Sequence, residues 1–246
     1  MAWLLAAIRT TIFIFVFYAP ITISWATICV LIAWLIPAKY RYYFIIYSWT
    51  SVMMFLIRWI VGIRYQIIGK ENIPSKGVIA CNHQSTWETY FLQTLFHPQT
   101  QVIKQSLLRI PFFGWAFALL NPIAINRSDR RSAMQQVIEQ GCRHFEQDNT
   151  YVLIFPEGTR YDVTQLGRFT RGGAVLAKAA NVPYIPVAQN AGYCWVNKRY
   201  VKFPGLVTVE ILPPVDMNDL SADQATKMIQ TQIQATLDRM PNPRTS

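Results

Sequence analysis

Acidic residues are few in this chain and begin late. The first of the 13 is Glu71, and the only charged residues before Ile63 are Arg9, Lys39, Arg41 and Arg58. Charge of either sign is thin, at 15% of 246 residues, while 52% are apolar. A soluble enzyme of this length ordinarily carries about a quarter charged residues. Cysteine is sparse as well: Cys29, Cys81, Cys142 and Cys194 stand far apart, with no Cys-x-x-Cys. That spacing excludes a disulfide framework and a cysteine zinc site, so no bound metal is expected. It suits reduced, structural thiols in a main domain facing the cytoplasm. Repeats, low-complexity tracts, RNA-binding signatures and long basic runs are missing. Nucleic acid is therefore not an expected partner, although the net charge is +10. No Gly-x-Ser-x-Gly is present, which argues against a serine hydrolase.

What is present starts with an uncharged run from Thr10 to Ala38, rich in Ile, Phe, Trp and Leu. About 20 apolar residues cross a bilayer's hydrocarbon core, so this run is long enough. Three readings compete for it. A cleaved signal peptide needs a shorter run and a small-residue cleavage site. A single spanning helix is the second reading. The third is a helical hairpin or re-entrant element, since Pro20 can kink the first half and Tyr42 to Ile57 supplies a second uncharged stretch. The last two tether the chain to a membrane, with a bacterial-type inner membrane as the expected location. Residues 1–62 are thus read as a hydrophobic helical attachment segment, 63–240 as the main domain and 241–246 as a disordered tail. From Ile63 onward 19 basic residues face 13 acidic ones. Next to an apolar anchor, that balance points to membrane lipid headgroups or phosphorylated substrates.

After Ile63 short apolar runs alternate with helical patterns. Ile63–Ile68, Val78–Cys81, Ile123–Ile125, Tyr151–Phe155, Tyr184–Val187 and Val207–Leu212 read as strands. Trp87–Leu95, Arg130–Gln147, Gly173–Ala180 and Ala222–Arg239 read as helices. The alternation gives an α/β fold, a sheet flanked by helices. In such sheets ligands gather at loops leaving the carboxyl ends of strands.

The segment Asn82-His83-Gln84-Ser85-Thr86-Trp87-Glu88 follows the second strand directly. Ser85-Thr86-Trp87-Glu88 matches a capping box that starts a helix at about Thr86, leaving His83 in the loop before it. A carboxylate on one imidazole nitrogen fixes the tautomer and leaves the other nitrogen free to take a proton. His83 as a structural histidine and Glu88 as a cap are the competing readings of the spacing alone. Phe155-Pro156-Glu157-Gly158-Thr159-Arg160 follows another strand. Its Pro and Gly force a turn whose backbone N–H groups can face an anion, with Thr159 and Arg160 adding donors. The alternative is ordinary turn chemistry with a solvated Arg160. Arg127 follows Ile123–Ile125 and precedes a Ser128-Asp129 helix cap, a place that favours an anion. Val182-Pro183-Tyr184-Ile185-Pro186-Val187 reads as a pocket wall.

In this order the four segments resemble the 1-acyl-glycerol-3-phosphate acyltransferase family, over about Ile63 to Leu212. The family's blocks are Asn-His-x4-Asp, here Asn82–Glu88; an Arg after a strand with an upstream Gly, here Arg127 and Gly114; Phe-Pro-Glu-Gly-Thr-Arg, here Phe155–Arg160; and Val-Pro-x-x-Pro-Val, here Val182–Val187. The departure is Glu88, one methylene longer than the usual Asp. The resemblance implies a mixed sheet flanked by helices and a direct transfer. His83, oriented by Glu88, would deprotonate the hydroxyl of a lysophospholipid acceptor, which attacks an acyl thioester. Arg127, Glu157, Gly158, Thr159 and Arg160 would hold the acceptor, with Lys104 and Arg171 as weaker candidates for the same anionic surface. No cofactor is implied beyond the donor, acyl-CoA or an acyl-acyl carrier protein, so the carrier protein is an expected partner. Other lysophospholipids or a lyso-aminolipid stand as alternative acceptors.

Overall fold

The computed structural model describes residues 1–125, 130–147, 150–163 and 165–244. Two long apolar helices come first, α1 (Ala2–Leu35) and α2 (Ala38–Val61). They run antiparallel as a hairpin: Trp49 Nε1 donates to Thr22 Oγ1 at 3.2 Å, and Trp25 Nε1 donates to the Ile45 carbonyl at 3.1 Å. Pro20 leaves α1 continuous. It follows wide, π-type turns at Ile12–Tyr18, which accommodate the backbone bond that proline cannot make. Each helix is long enough and apolar enough to cross a membrane. Large apolar side chains such as Phe15, Val16, Leu31, Phe55 and Trp59 face outward, each more than half exposed.

Gly62 ends α2 with a left-handed φ of 87°, and the chain enters β1 (Ile63–Ile68). Then follow β2 (Gly77–Cys81), α3 (Trp87–Leu95), β3 (Gln99–Lys104), α4 (Phe113–Ala118), β4 (Ile123–Ile125) and α5 (Arg130–Gln147). The chain continues with β5 (Tyr151–Ile154), α6 (Gly172–Ala179), β6 (Tyr184–Gln189), β7 (Gly205–Ile211) and α7 (Ala222–Arg239). Among the described residues these strands form one mixed sheet in the order β1-β7-β6-β2-β5-β3-β4, with only the β6–β7 pair antiparallel. The expected strands and helices are present. Two elements were not expected: β3, whose Gln-Thr-Gln-Val-Ile-Lys offers no apolar run, and α4, too short to show a period.

The central strands are buried on both faces, which is why they read as continuous apolar runs. Their residues alternate between two cores. Ile79, Cys81, Leu153, Ile185 and Val187 join Phe13, Met53 and Ile57 of the hairpin and Trp87 and Phe91 of α3. Val78, Ala80, Val152, Ile154 and Tyr184 join Val137, Leu176, Ile229 and Ile233 of α5, α6 and α7. The hairpin is therefore no loose tether, because its inner residues share the main domain's core.

The tail also departs from expectation. The Pro241 carbonyl accepts from Asn190 Nδ2 at 2.8 Å, the Pro243 carbonyl accepts the Leu206 N–H at 3.0 Å, and Arg244 stacks over Phe203. Through Arg244 it is held in place by these contacts, the Pro243 carbonyl serving an N–H at the start of β7. Val182–Val187 is likewise not a pocket wall. Val187 and its neighbours in β6 are buried between β2 and β7 at the centre of the sheet.

Candidate active site

β2 and β5 are parallel neighbours with Ala80 opposite Ile154, so the loops after them leave the same edge of the sheet. That register brings Asn82–Glu88 against Phe155–Arg160. The two segments bind each other through the backbone. The His83 N–H donates to Glu157 Oε1 at 3.2 Å, and the His83 carbonyl accepts the Tyr161 N–H at 2.9 Å. Asn82 supplies the lateral support. Its side chain exchanges two 2.9 Å hydrogen bonds with the backbone of Gln189, and so locks the ends of β2 and β6 together.

Glu88, fully buried in the first turn of α3, reaches back over the loop. Its Oε1 accepts the N–H groups of Gln84 at 2.9 Å and Ser85 at 2.7 Å, and lies 2.9 Å from His83 Nδ1. Its Oε2 is bonded to Ser85 Oγ. With Oε1 engaged as an acceptor by two backbone donors, Nδ1 is the donor of the third bond, and in the neutral imidazole the lone pair then lies on Nε2. The Phe155 ring stacks on the imidazole, with centroids 3.9 Å and planes 18° apart, which fixes its orientation. The extra methylene of Glu88 over the usual Asp is thus absorbed. The capping box is altered: Ser85 Oγ accepts the Trp87 N–H at 3.0 Å, while Thr86 at the N-cap makes no side-chain cap bond.

Beside this pair, Gly158 adopts φ 72° in the turn after β5, a conformation that favours glycine. Glu157 is buried, and burial pushes its carboxyl up to about 7, against the N–H groups of His83 and Gly167 that favour its charged form. Its Oε2 has no hydrogen-bond partner among the described residues. Thr159 and Arg160 are exposed at the turn. The Arg160 guanidinium acts electrostatically on both Tyr90 and Lys202. Lys104 ends β3, exposed, at the same sheet edge. Gly114 is needed for packing, since a Cβ there would lie 2.6 Å from the carbonyls of Leu107 and Leu108. Arg171 lies at the start of α6 with its guanidinium 3.8 Å from Asp223, both well exposed. Arg127 lies outside the described residues.

A cavity of about 190 Å³ runs between the hairpin and α3 and α4, lined by Tyr18, Trp25, Cys29, Ile46, Trp49 and Tyr90 among others. Tyr18 and Tyr90 share a 3.0 Å hydroxyl–hydroxyl bond at its wall, and Tyr90 is the residue on which Arg160 acts.

Sequence reasoning did not find the roles of Phe155, Asn82 and Tyr90. Phe155 and Asn82 stood within the motifs, next to the residues singled out. Tyr90 carried no signal, being one aromatic among the apolar residues of a helix.

Residues 64–190 match the family model described as acyltransferase. The chain is 46% identical over 208 residues to a 1-acyl-sn-glycerol-3-phosphate acyltransferase of Pseudomonas aeruginosa, covering 84% of this chain and 80% of the relative. It is 30% identical over 184 residues to a protein of that name from Saccharomyces cerevisiae, covering 72% of this chain and 60% of the relative. The crystal structure of a 1-acyl-sn-glycerophosphate (LPA) acyltransferase from Thermotoga maritima superposes with a TM-score of 0.75 at 20% identity. That match covers 96% of this chain and 95% of the other, and it shows the shared fold. With both signature segments assembled around His83, the chain is an acyltransferase and belongs to the 1-acyl-sn-glycerol-3-phosphate acyltransferase family.

Proposed function

We propose that this enzyme transfers an acyl chain from an acyl thioester to the free hydroxyl of 1-acyl-glycerol-3-phosphate (lysophosphatidic acid), giving phosphatidic acid at a membrane. The observation that carries the reading is the His83–Glu88 pair, with Nδ1 committed to the carboxylate and Nε2 free, beside a turn that ends in Arg160. Nε2 takes the proton of the acceptor hydroxyl, whose oxygen attacks the thioester carbonyl, and the thiolate leaves. Glu88 stabilises the imidazolium formed in that step, and the proton then passes to the departing sulfur. No side-chain nucleophile takes part, so no covalent acyl-enzyme forms. Arg160, Arg127, Thr159 and the Glu157-Gly158 turn hold the phosphate and glycerol, and the cavity below Tyr90 takes an acyl chain. The exposed apolar faces of α1 and α2 seat the enzyme in the bilayer that supplies the acceptor, with the catalytic domain toward the cytoplasm.

The test is direct. Purified enzyme in phospholipid vesicles, given lysophosphatidic acid and radiolabelled acyl-CoA or acyl-acyl carrier protein, is expected to produce labelled phosphatidic acid with at least one donor. Labelled product from lysophosphatidylcholine or a lyso-aminolipid, and none from lysophosphatidic acid, would overturn the acceptor assignment.

A further inference from the structure

Lys202 is an unusual residue for its position. It lies in the loop between β6 and β7, yet is only 8% exposed. Gln189 at the end of β6 pairs antiparallel with Val209 of β7, so this loop stands over the sheet edge that carries His83. Its ammonium stands 5.0 Å above the Trp195 ring and donates to the Arg199 carbonyl. Among the described residues no carboxylate forms an ion pair with it. Another cation, Arg160, acts on it electrostatically. Burial first, and Arg160 second, bring its ammonium down to about 8.

A buried ammonium without a counter-ion, next to a second cation, is costly unless an anion joins them. The chain holds it there by other means. The buried Thr10 of α1 accepts the Lys202 backbone N–H at 2.9 Å, and Thr11 Oγ1 is 2.8 Å from the Tyr200 hydroxyl. Phe13 packs edge-on against Trp195 with ring centroids 6.1 Å apart. The hairpin therefore clamps the loop, while the ammonium is held over the Trp195 ring.

We propose that Lys202 is a specificity-determining residue of the acceptor site: together with Arg160 it grips the phosphomonoester of the acceptor. This rests on the acceptor reading above. A phosphomonoester carries close to two negative charges at neutral pH, which two cations match. A phosphodiester headgroup carries one and is bulkier. Phosphate groups also occur on coenzyme A, so the assay must separate the two substrates.

The test compares Lys202→Met, Lys202→Gln and Lys202→Arg in vesicles. The hydrogen bond to Thr10 involves the Lys202 backbone and survives each change. For Met and Gln we expect the KM for lysophosphatidic acid to rise at least tenfold, kcat to stay within about threefold, and the KM for acyl-CoA to be unchanged. Arg should recover most of the loss. An unmoved KM for lysophosphatidic acid, or a rise confined to acyl-CoA, would overturn the proposal. A second measurement uses the wild-type protein. Reductive methylation of Lys202, read by mass spectrometry, should slow when lysophosphatidic acid is added and not when acyl-CoA is added; equal rates would count against the contact. A wild type inactive on lysophosphatidic acid would sink the acceptor reading itself, whereas an active wild type with an unmoved variant sinks Lys202 alone.

Discussion

Glu88 Oε1 lies 2.9 Å from His83 Nδ1 while also accepting the N–H groups of Gln84 and Ser85. One oxygen thus holds the imidazole and the loop that carries it. The two duties separate on substitution. Glu88→Gln keeps an oxygen for the backbone donors but cannot stabilise an imidazolium. We expect a folded protein with kcat lowered about 10²-fold or more, checked by turnover alongside the thermal melt. A mutant near wild-type rate would leave Glu88 a purely structural residue.

His83→Ala removes the proposed base and leaves the Phe155–Arg160 turn in place. Turnover is expected to fall by about 10²–10⁴-fold, while binding of lysophosphatidic acid, measured by equilibrium dialysis against vesicles, persists. Retention of a tenth of the wild-type rate would contradict a general base.

Glu157 is held protonated by burial up to about pH 7 in the fold, against 4.5 for an ordinary glutamate. The folded state therefore binds a proton that the unfolded state releases, and stability falls as pH rises from about 4.5 to 7. That difference is on the order of 3 kcal/mol at most. Glu157→Gln should match the wild-type melting temperature near pH 5 and exceed it at pH 8. Equal melting temperatures at pH 8 would show that Glu157 ionises without penalty.

The cavity between α1, α2 and α3 should set chain-length preference. Ala26 and Cys29 line it, so Ala26→Phe or Cys29→Phe shortens the space. Each excluded methylene forfeits roughly 0.8 kcal/mol of burial. The preferred acyl chain should shorten by two or more carbons in a competition assay with mixed chain lengths. An unchanged product profile would place the chain elsewhere.

Thr10→Val keeps the shape of a buried side chain and removes the acceptor for the Lys202 N–H. An unsatisfied buried donor costs about 1–3 kcal/mol, and the melting temperature should drop accordingly. No change in the melt would mean that the hairpin is held by its apolar contacts alone.

Much of this was legible in the sequence because the signals were local. Val78–Cys81 and Tyr151–Ile154 are apolar on both faces, which a central parallel strand requires, and the two signature segments follow them immediately. The pairing of His83 with Glu88, five positions on, followed from short-range reach at a helix start. Other features had no local signature. β3 is polar but for Val102 and Ile103, and takes its place because β5 offers it an edge. The aromatic plate under His83 comes from Phe155, 72 positions away, and its role exists only because β2 and β5 are adjacent.

The sequence by itself determined the candidate groups: a histidine and a carboxylate at short spacing, a Pro-Glu-Gly-Thr-Arg turn, and an apolar segment that must be buried in lipid or protein. These rest on side-chain type and short-range spacing, which the chain carries whether folded or not. Only the tertiary structure decided that the hairpin shares the core of the main domain, that Glu88 reaches His83 despite its extra methylene, and that Lys202 is buried in the loop between β6 and β7. Those relations depend on which strands lie side by side and which helix covers them. Packing fixes such choices among residues tens to hundreds of positions apart, where no periodicity records them.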